Sequence, residues 1–310
     1  MVLKMQPQIF TENNLINNSS RIKVFLPMEI EEETVEVDCD LCGERNRQVL
    51  FVKEGFPHCR CTNCGLVYVS PRLKRHLELQ KHYGTGTMGE ERLTPKQAKR
   101  LKRAVAGIEP WRQLNRFLDI GPGRGWYLSA TAEAGWETWA VEINSRALSY
   151  LKKLVSSHII AAPAEEFESQ ENYFDVVRLF DVIEHLTSPR RVVERIFRSL
   201  RPGGLLELST TNFASLSMMI NGPQWMSLNG TDHIILFDQH TMNRLLTQVG
   251  FQNIQISTRD FHLKRRFYHP ERELPPGSTI LRPFRKLIDE TIFLTAYGHQ
   301  LLVRAIKPSA

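Results

Sequence analysis

Short apolar runs alternate with amphipathic segments from Phe117 onwards. The run FDVVRLF at Phe174–Phe180 has the β-rich, apolar character of a buried central strand. Val192, Val193 and Ile196 lie on one stripe of a predicted helix that starts at Pro189. The predicted strands are 117–120, 137–141, 158–161, 174–180, 205–209, 254–257 and 300–305, with helices predicted after the first, second and fourth of them and near 239–249. This order predicts an α/β fold, a doubly wound and mostly parallel seven-stranded sheet, in which the last two strands could pair antiparallel at one edge.

The segment before this pattern divides into three parts. Residues 1–35 show little periodicity and predict an irregular arm, and residues 36–84 predict a small ribbon with strands at 48–52 and 66–69. Thr94 and Pro95 then mark the start of a helix that stops at Gly107. This helix and the predicted sheet that follows it are expected to form a third unit over 85–310. Two insertions in this unit, near 210–240 and 260–296, are expected to cover the substrate.

Four cysteines form two parallel turns, each with the sequence Cys-x-x-Cys-Gly. Cys39 and Cys42 belong to the first turn, and Cys61 and Cys64 belong to the second. This spacing predicts a tetrahedral thiolate site for zinc, with iron in a rubredoxin-like site as the alternative and a disulfide pair as the third reading. Cys59 falls outside the repeat and is expected to be free. Four protein ligands leave no open coordination position, so we expect the metal to stabilise the ribbon rather than to perform chemistry.

The charge and the N-terminal sequence limit the partners and the compartment. The N-terminal sequence has no sustained apolar stretch, so we expect a cytoplasmic protein without a transmembrane segment. The formal net charge of the chain is +6. Basic residues cluster in two places, and such clusters form solvated faces or bind anionic substrates or nucleic acid. The clusters are Lys96, Lys99, Arg100, Lys102 and Arg103, and then Lys264, Arg265, Arg266, Arg272, Arg282, Arg285 and Lys286.

A glycine-rich loop follows the first strand of the sheet, in the sequence FLDIGPGRG at residues 117–125. Alternating glycines allow the backbone to pass close under a ligand and to turn directly into a helix. The loop differs from the dinucleotide-binding fingerprint in two ways. Its third glycine comes two positions after the second, where the fingerprint has three, and Asp119 lies two positions before Gly121. The loop predicts a site for a small, nucleotide-like ligand.

Five ordered segments together resemble the class I S-adenosylmethionine-dependent methyltransferases. The ribbon, followed by CGLVYVSP, also resembles the N-terminal zinc-binding segment of a methyltransferase subgroup that includes sugar-modifying enzymes. The five segments are FLDIGPGRG at 117–125, AVEIN at 140–144, FDVVRLFDVIEHL at 174–186, LRPGGLLELSTTN at 200–212 and GTDHIILFDQHTMNRLLTQVGF at 230–251.

The resemblance implies S-adenosylmethionine as cofactor and assigns residues to it. The methionine part would lie over the glycine loop with Asp119 near its ammonium group, and Glu142 would accept the ribose hydroxyl protons. Phe180 and Asp181 would border the reactive end of the cofactor, while residues 161–164 offer no acid for the adenine amine. The implied cofactor-binding residues are Asp119, Gly121, Gly123, Gly125, Glu142, Phe180 and Asp181.

Two histidines are the candidate catalytic residues. His185 follows the fourth strand, at the edge where open α/β sheets bind ligands, and His233 lies in the connection that would cover the substrate. Either would serve as general base for a nucleophile that is still protonated, with Asp232 orienting His233. The alternative for both is a structural hydrogen bond, and His240 is a weaker third candidate.

Three functions remain open on the sequence alone. The leading hypothesis is methyl transfer to an oxygen or nitrogen of a small molecule or glycan. A second is RNA methylation, because some methyltransferases of ribosomal RNA carry an N-terminal zinc module and this chain is basic, although the ribbon lacks a stacking series of aromatic and arginine residues. A third is a cofactor-binding or assembly protein without turnover. The apolar positions over 279–294 predict a helix that acts as a lid, a dimer face or a membrane-surface element.

Overall fold

The structure is a computed structural model that describes residues 33–82, 93–154, 158–260 and 296–309. The strands within these ranges are β1 (Thr34–Val35), β2 (Arg47–Lys53), β3 (Phe56–Cys61), β4 (Val67–Val69), β5 (Arg72–Leu73), β6 (Arg116–Ile120), β7 (Glu137–Glu142), β8 (His158–Ala161), β9 (Phe174–Phe180), β10 (Leu200–Thr211), β11 (Ile235–Leu236), β12 (Gln252–Arg259) and β13 (Gln300–Ile306).

The helix predicted from Thr94 and Pro95 begins at Pro95. Thr94 accepts a hydrogen bond from the backbone N–H of Gln97, whose side chain in turn accepts from the backbone N–H of Thr94, so the predicted start is confirmed. None of the described helices is long and apolar enough to cross a lipid bilayer. The helices are α1 (His76–Gln80), α2 (Pro95–Ala106), α3 (Trp126–Glu133), α4 (Ser145–Leu154), α5 (Pro189–Ser199), α6 (Leu216–Asn221) and α7 (Gln239–Val249), with 3-10 turns at Glu109–Trp111, Ile183–His185 and Gly222–Gln224.

The main sheet confirms the predicted fold class. Its seven described strands lie in the order β12-β13-β10-β9-β6-β7-β8, and β13 alone among them runs antiparallel to its neighbours. The predicted antiparallel edge is therefore confirmed. Because β6, β7 and β9 are parallel neighbours, their carboxyl ends meet at one edge of the sheet.

A second sheet combines the cysteine-rich segment with a strand from the distant connection. Its order is β11-β4-β3-β2, with all pairs antiparallel. The sequence did not predict β3, because FPHCRC contains a proline, a histidine and two cysteines in place of an apolar alternation. It did not predict β11 either, since only two residues of the connection pair with β4.

The cysteine-rich segment shares its apolar core with the main domain. Leu41 and Leu73 belong to one buried cluster that also contains Leu186 from the main domain. The backbone N–H of Arg190, in the first turn of α5, donates to the carboxylate of Asp40 at 2.8 Å. The ribbon is consequently packed against the same face of the sheet that carries α5.

Some predicted elements lie outside the described residues. They are most of the arm over 1–35, most of the loop over 82–90, the insertion over 260–296 and the helix over 279–294.

Asp175 organises the amino-terminal edge of the sheet. This fully buried carboxylate accepts from the backbone N–H groups of Leu114 at 2.8 Å and Arg116 at 3.1 Å, and from Arg201 Nε at 2.6 Å. The Arg201 side chain is 10% exposed. One buried acid therefore satisfies two backbone donors and a nearly buried guanidinium.

Replacing Asp175 with Ala is expected to lower the free energy of unfolding by about 3–5 kcal/mol, because it leaves the nearly buried charge of Arg201 without this carboxylate and two backbone N–H groups without their acceptor. Urea denaturation of the full chain measures this. Glu194→Ala is the control, since Glu194 pairs with Arg190 on an exposed helix face and such pairs contribute about 0.5 kcal/mol or less. Equal midpoints for the two variants would contradict the role given to Asp175.

Candidate active site and metal centre

The three glycines of the loop after β6 have different surroundings. Gly121, Gly123 and Gly125 have φ angles of 67°, 55° and 68°, in the left-handed region that favours glycine. A Cβ atom on Gly121 would lie 2.4 Å from Val182, and one on Gly125 would lie 2.5 Å from Leu151. A Cβ atom on Gly123 would meet no atom within 4 Å. Gly121 and Gly125 thus permit close packing, whereas Gly123 faces open space.

That open space belongs to a cavity of about 270 Å³ at the carboxyl ends of the strands. Gly121 and Gly123 line it on one side. Glu142, Glu165 and Asp181 contribute carboxylates, and no lysine or arginine is found among the described residues that line it. The cavity therefore favours a ligand that carries positive charge, although the whole chain is basic.

Glu142 ends β7 with its carboxylate at the cavity wall. It is 7% exposed, and Oε1 accepts from the backbone N–H of Asn144 at 2.8 Å. Burial raises the pKa of Glu142, and backbone donors, including Gly123, act against the rise. Asn144 in turn accepts from the backbone N–H of Ala147 at 3.0 Å and caps α4. The carboxylate is thus held in place, with acceptor capacity for further donors.

Asp119 lies behind the glycine loop, inside the sheet. Its side chain is fully buried, and Oδ1 is 3.3 Å from Arg178 Nη1 on the neighbouring strand. Burial raises the pKa of Asp119 to about 6, although the charge of Arg178 opposes the rise. The same guanidinium lies 3.7 Å from the ring centre of Phe180. Neither Asp119 nor Phe180 is among the residues that line the cavity, whereas Asp181 is.

His185 and His233, 48 positions apart in the chain, are brought together beside this cavity. Their ring centres are 4.8 Å apart and their planes meet at 72°. His185 lines the cavity, and its Nδ1 lies 2.7 Å from Asp232 Oδ1. His233 Nδ1 lies 2.8 Å from the carbonyl oxygen of Ser227. The exposed His240 lies on α7, apart from this pair.

The electrostatics of the pair are dominated by neighbouring acids. Burial disfavours the charged form of His185, but the hydrogen bond to Asp232 and the charges of Glu184 and Asp232 outweigh it and raise the pKa to about 9. Asp232 was expected to orient His233. The structure brings its carboxylate closer to His185, since the distance to His233 Nε2 is 3.7 Å.

Two residues of α1 complete the wall of the cavity, and no motif in the sequence predicts them. Leu77 and Gln80 line the cavity, and Gln80 Nε2 donates to Asp232 Oδ1 at 3.4 Å. His76, one turn earlier, lies with Nε2 at 2.6 Å from the carbonyl oxygen of His185. This short helix follows the ribbon and carries no motif, so no signal in the sequence links it to a loop that begins 40 residues later.

The four cysteines of the two turns converge on one point. Their sulfur atoms all lie within 4.8 Å of one another, with Cys39 and Cys64 at 3.4 Å and Cys42 and Cys61 at 3.5 Å. Four sulfurs arranged tetrahedrally at about 2.3 Å from a zinc ion would be separated by about 3.8 Å. Burial raises the pKa of Cys39 and raises that of Cys64 to about 11. A cation is what allows such a buried group of thiols to exist as thiolates.

Cys59 is separate from this cluster, as predicted. It is fully buried and its Sγ donates to the carbonyl oxygen of Ser70 at 3.4 Å. Gly43 and Gly65, which end the two Cys-x-x-Cys turns, have φ angles of 73° and 81° and donate to the carbonyl oxygens of Cys39 and Cys61. The turns are therefore equivalent in backbone conformation, as is usual for a pair of metal-binding knuckles.

Comparison with known proteins extends this picture. The family described as "Methyltransferase domain" matches residues 90–256. A ubiquinone biosynthesis O-methyltransferase of Aromatoleum aromaticum is 27% identical over 155 residues, which are 46% of this chain and 65% of the relative. A relative with the same description from Bordetella avium is 29% identical over 106 residues, 32% of this chain and 44% of the relative. A tRNA U34 carboxymethyltransferase of Syntrophotalea carbinolica is 27% identical over 163 residues, 48% of each chain. The chain thus spans about half to two thirds of these relatives.

A solved structure supports the fold. Phosphoethanolamine N-methyltransferase 2 of Haemonchus contortus, in complex with S-adenosyl-L-methionine, superposes with a TM-score of 0.50 at 19% identity, over 78% of this chain and 63% of that one. The family match extends over more than half of the chain and contains the glycine loop, Glu142 and both histidines. This chain therefore belongs to the S-adenosylmethionine-dependent methyltransferases.

Proposed function

We propose that the protein transfers the methyl group of S-adenosylmethionine to an oxygen or nitrogen atom of a small-molecule or glycan acceptor. One observation carries the proposal. The glycine loop, Glu142 and His185, whose ring is held by Asp232, all border a single acidic cavity. A cationic cofactor and an acceptor next to a histidine would meet there.

The residues on the cofactor side fit S-adenosylmethionine. The space over Gly123 admits the methionine part close to the backbone, and the N-terminus of α3 favours its carboxylate. Glu142 would accept hydrogen bonds from the ribose hydroxyls, since its second oxygen faces no basic side chain among those that line the cavity. Asp181 would border the reactive end. When bound, the cofactor supplies an electrophilic methyl group on a sulfonium sulfur.

Asp119 and Phe180 act from behind the loop in this proposal. Asp119 is held by Arg178, and the guanidinium of Arg178 also stacks on Phe180. The buried carboxylate would contribute negative potential toward the ammonium group, and the three residues together would fix the end of β6. Adenine would rest against Ala162, Pro163 and Ala164, which line the cavity after β8.

The residues on the acceptor side bind and orient the nucleophile. Because the hydrogen bond to Asp232 fixes the ring of His185, the imidazole has one defined orientation beside the cavity. His233 stands across from it and is oriented by Ser227. The two rings would hold the acceptor in line with the methyl group, and a ring in its neutral form would receive the proton of the acceptor. Positioning of this kind supplies a large part of the catalysis of a displacement reaction.

The relatives favour oxygen of a small molecule as the acceptor atom. Seven of the eight curated relatives considered are ubiquinone biosynthesis O-methyltransferases. Leu77 and Gln80 of α1 line one side of the cavity, whose volume is about 270 Å³. The test is methyl transfer from labelled cofactor by the full chain to fractionated metabolites, glycans and RNA. Label in the metabolite or glycan fraction supports the proposal, whereas binding without transfer to any fraction supports a protein without turnover.

RNA is the second candidate acceptor. One relative acts on tRNA, and α2 carries an exposed basic face. The basic residues of this face are Lys96, Lys99, Arg100, Lys102 and Arg103. Label in the RNA fraction, with an affinity that falls steeply as salt is added, would favour RNA over a small molecule.

Zinc is proposed as the metal of the four cysteines, with a structural role. The thiolate donors, their spacing and the equivalent turns favour zinc over metals that prefer oxygen ligands. The ion would hold β3 and β4 in place and, through β4, the strand β11 that follows His233.

Replacing Gly123 with Ala is expected to weaken binding of S-adenosylmethionine by about tenfold or more, because the new methyl group projects into the cavity. Gly222→Ala is a matched control, since Gly222 has a φ of 51° and also has nothing within 4 Å of an added Cβ, but does not line the cavity. Gly123→Ala should lose about 1–2 kcal/mol of stability from the left-handed backbone, and Gly222→Ala should lose at least as much, because a φ of 51° with a ψ of −134° is nearly confined to glycine. Calorimetric titration with the cofactor measures the affinity, and unchanged affinity for Gly123→Ala would refute the assignment of the loop.

Replacing Cys39 with Ser is expected to abolish zinc binding, lower the unfolding temperature and reduce methyl transfer, since the ribbon supports β11. Cys59→Ser is the control, because Cys59 is a buried cysteine of the same sheet outside the cluster. Metal analysis, thermal unfolding and transfer assays of both variants test this. A soluble, metal-free and fully active Cys39→Ser protein would contradict a structural role for the ion.

A further inference from the structure

His299 lies directly before β13 and contacts the connection between α6 and α7, which carries His233. Trp225 Nε1 lies 3.3 Å from His299 Nδ1, and Ser227 Oγ lies 3.3 Å from His299 Nε2. The ring centres of Trp225 and His299 are 5.3 Å apart and the ring planes meet at 74°. The backbone N–H of residue 228 donates to the carbonyl oxygen of residue 225, so these residues form a turn. One imidazole therefore contacts two residues of a single turn.

The main sheet fixes the backbone of His299. Its carbonyl oxygen accepts from the backbone N–H of Asn212, which follows β10, and its N–H donates to the carbonyl oxygen of Asp260, which follows β12, each at 2.8 Å. The residues that its ring contacts are buried, since Trp225 is 1% exposed and Ser227 is 7% exposed. Hydrogen bonds in such surroundings are stronger than in water. His299 thus connects an ordered part of the sheet to the middle of an irregular segment.

The chemistry of the two partners defines the tautomer of His299. The indole N–H of Trp225 can only donate, so His299 Nδ1 accepts and carries no proton. The proton of the ring is then on Nε2, which donates to Ser227 Oγ. His299 therefore accepts from one residue of the turn and donates to another, and both contacts depend on the same tautomer.

Ser227 carries this constraint to His233. The carbonyl oxygen of Ser227 lies 2.8 Å from His233 Nδ1, and a carbonyl oxygen can only accept, so Nδ1 carries a proton. The lone pair of the neutral ring is then on Nε2, which lies 3.7 Å from Asp232 Oδ2. Nε2 is consequently the nitrogen of His233 that is able to receive a proton.

We propose that His299 is a positioning residue, which holds the turn at Ser227 so that His233 keeps its proton on Nδ1 and its lone pair on Nε2. His299 is not among the described residues that line the cavity, so it acts on the acceptor through His233 rather than by contact. Its contribution to methyl transfer rests on the proposed function, whereas the coupling between the two histidines does not. The acceptor side of the site is thus held from the main sheet as well as from the ribbon.

Nitrogen NMR of the histidine side chains in the full chain tests the coupling. The signals of His233 are identified by their loss in His233→Gln, and the unchanged chain is expected to show a neutral His233 with its proton on Nδ1. His299→Phe keeps a ring against Trp225 but neither accepts nor donates, so both nitrogen signals of His233 should move toward the average of two exchanging tautomers. His299→Gln keeps one acceptor and one donor and should restore the signals of the unchanged chain.

A milder variant guards against a failure to fold. Ser227→Ala removes the hydroxyl that His299 contacts and leaves the carbonyl oxygen that His233 contacts, and it should shift the His233 signals in the same direction as His299→Phe. His240→Phe, which changes an exposed histidine of α7, should shift none of them. Thermal unfolding shows which variants are folded. Unchanged His233 signals in the folded variants at 227 and 299, or a proton on Nε2 alone in the unchanged chain, would overturn the proposal.

Cofactor affinity and methyl transfer, measured in the same samples, separate this proposal from the preceding one. His299→Phe is expected to bind S-adenosylmethionine as the unchanged chain does and to lower kcat by about tenfold or more, with recovery in His299→Gln. A change in the His233 signals without methyl transfer by the unchanged chain supports the coupling and counts against the proposed function alone. An unchanged kcat in a His299→Phe protein whose His233 signals have moved would refute the contribution of His299 to methyl transfer.

Discussion

The antiparallel pairing of β4 with β11 is the interaction on which the acceptor side of the site depends. Tyr68 pairs with Ile235, and the backbone N–H of Val69 donates to the carbonyl oxygen of Ile234 at 2.9 Å. Asp232 and His233 come immediately before these residues, in a connection that holds this two-residue strand and the 3-10 turn Gly222–Gln224 between α6 and α7. Hydrogen bonds within the connection, such as the one between His233 Nδ1 and the carbonyl oxygen of Ser227, fix its local shape, and the pairing with β4 fixes its place against the ribbon. Since β4 belongs to the ribbon, the ribbon contributes to the position of His233, together with the bond from the backbone N–H of Ile234 to the carbonyl oxygen of Glu184 in the main domain.

Other contacts reinforce the same link from different directions. A Cβ atom on Gly230 would lie 2.2 Å from the side chain of Phe56, so the connection passes against β3 at a distance that only glycine permits. His76 contacts the carbonyl oxygen of His185, and Arg72 donates to the carbonyl oxygen of Thr187 at 3.0 Å. The ribbon consequently holds both segments that carry the histidines. In the proposed function, the cysteine-rich ribbon would thus contribute to methyl transfer by positioning these segments.

How much of this could be predicted from the sequence depends on the range of the interactions. Local sequence patterns predict the glycine loop and the parallel strands, and the order of strands and helices predicts the carboxyl edge of the sheet. The surroundings of Gly123 and Glu142 could therefore be predicted from the sequence. The strand order also predicted His185 at that edge, whereas His233 was expected only in the connection that would cover the substrate, and its contact with His185 was not predicted. The pairing of β4 with β11 could not be predicted, since a strand of two residues carries no periodic signal and its partner strand lies more than 160 residues earlier. Gln80 was missed for the same reason, and Asp232 was assigned to the histidine next to it in sequence rather than to the one that folding brings nearer.

The two sides of the cavity are therefore held by different physical means. The cofactor side is built from the backbone of β6 and β7 and from buried acids such as Glu142, whose positions follow from the sheet itself. The acceptor side is built from side chains on irregular segments that are ordered by tertiary contacts with the ribbon. Asp232 and His233 lie on the connection rather than on the strands that carry the glycine loop, so in the proposed function a change in the connection would alter the acceptor while β6 and β7 keep their pairing. This separation explains why the sequence indicates the methyl donor more clearly than the acceptor, since the donor is recognised by the fold and the acceptor by a site grafted onto it.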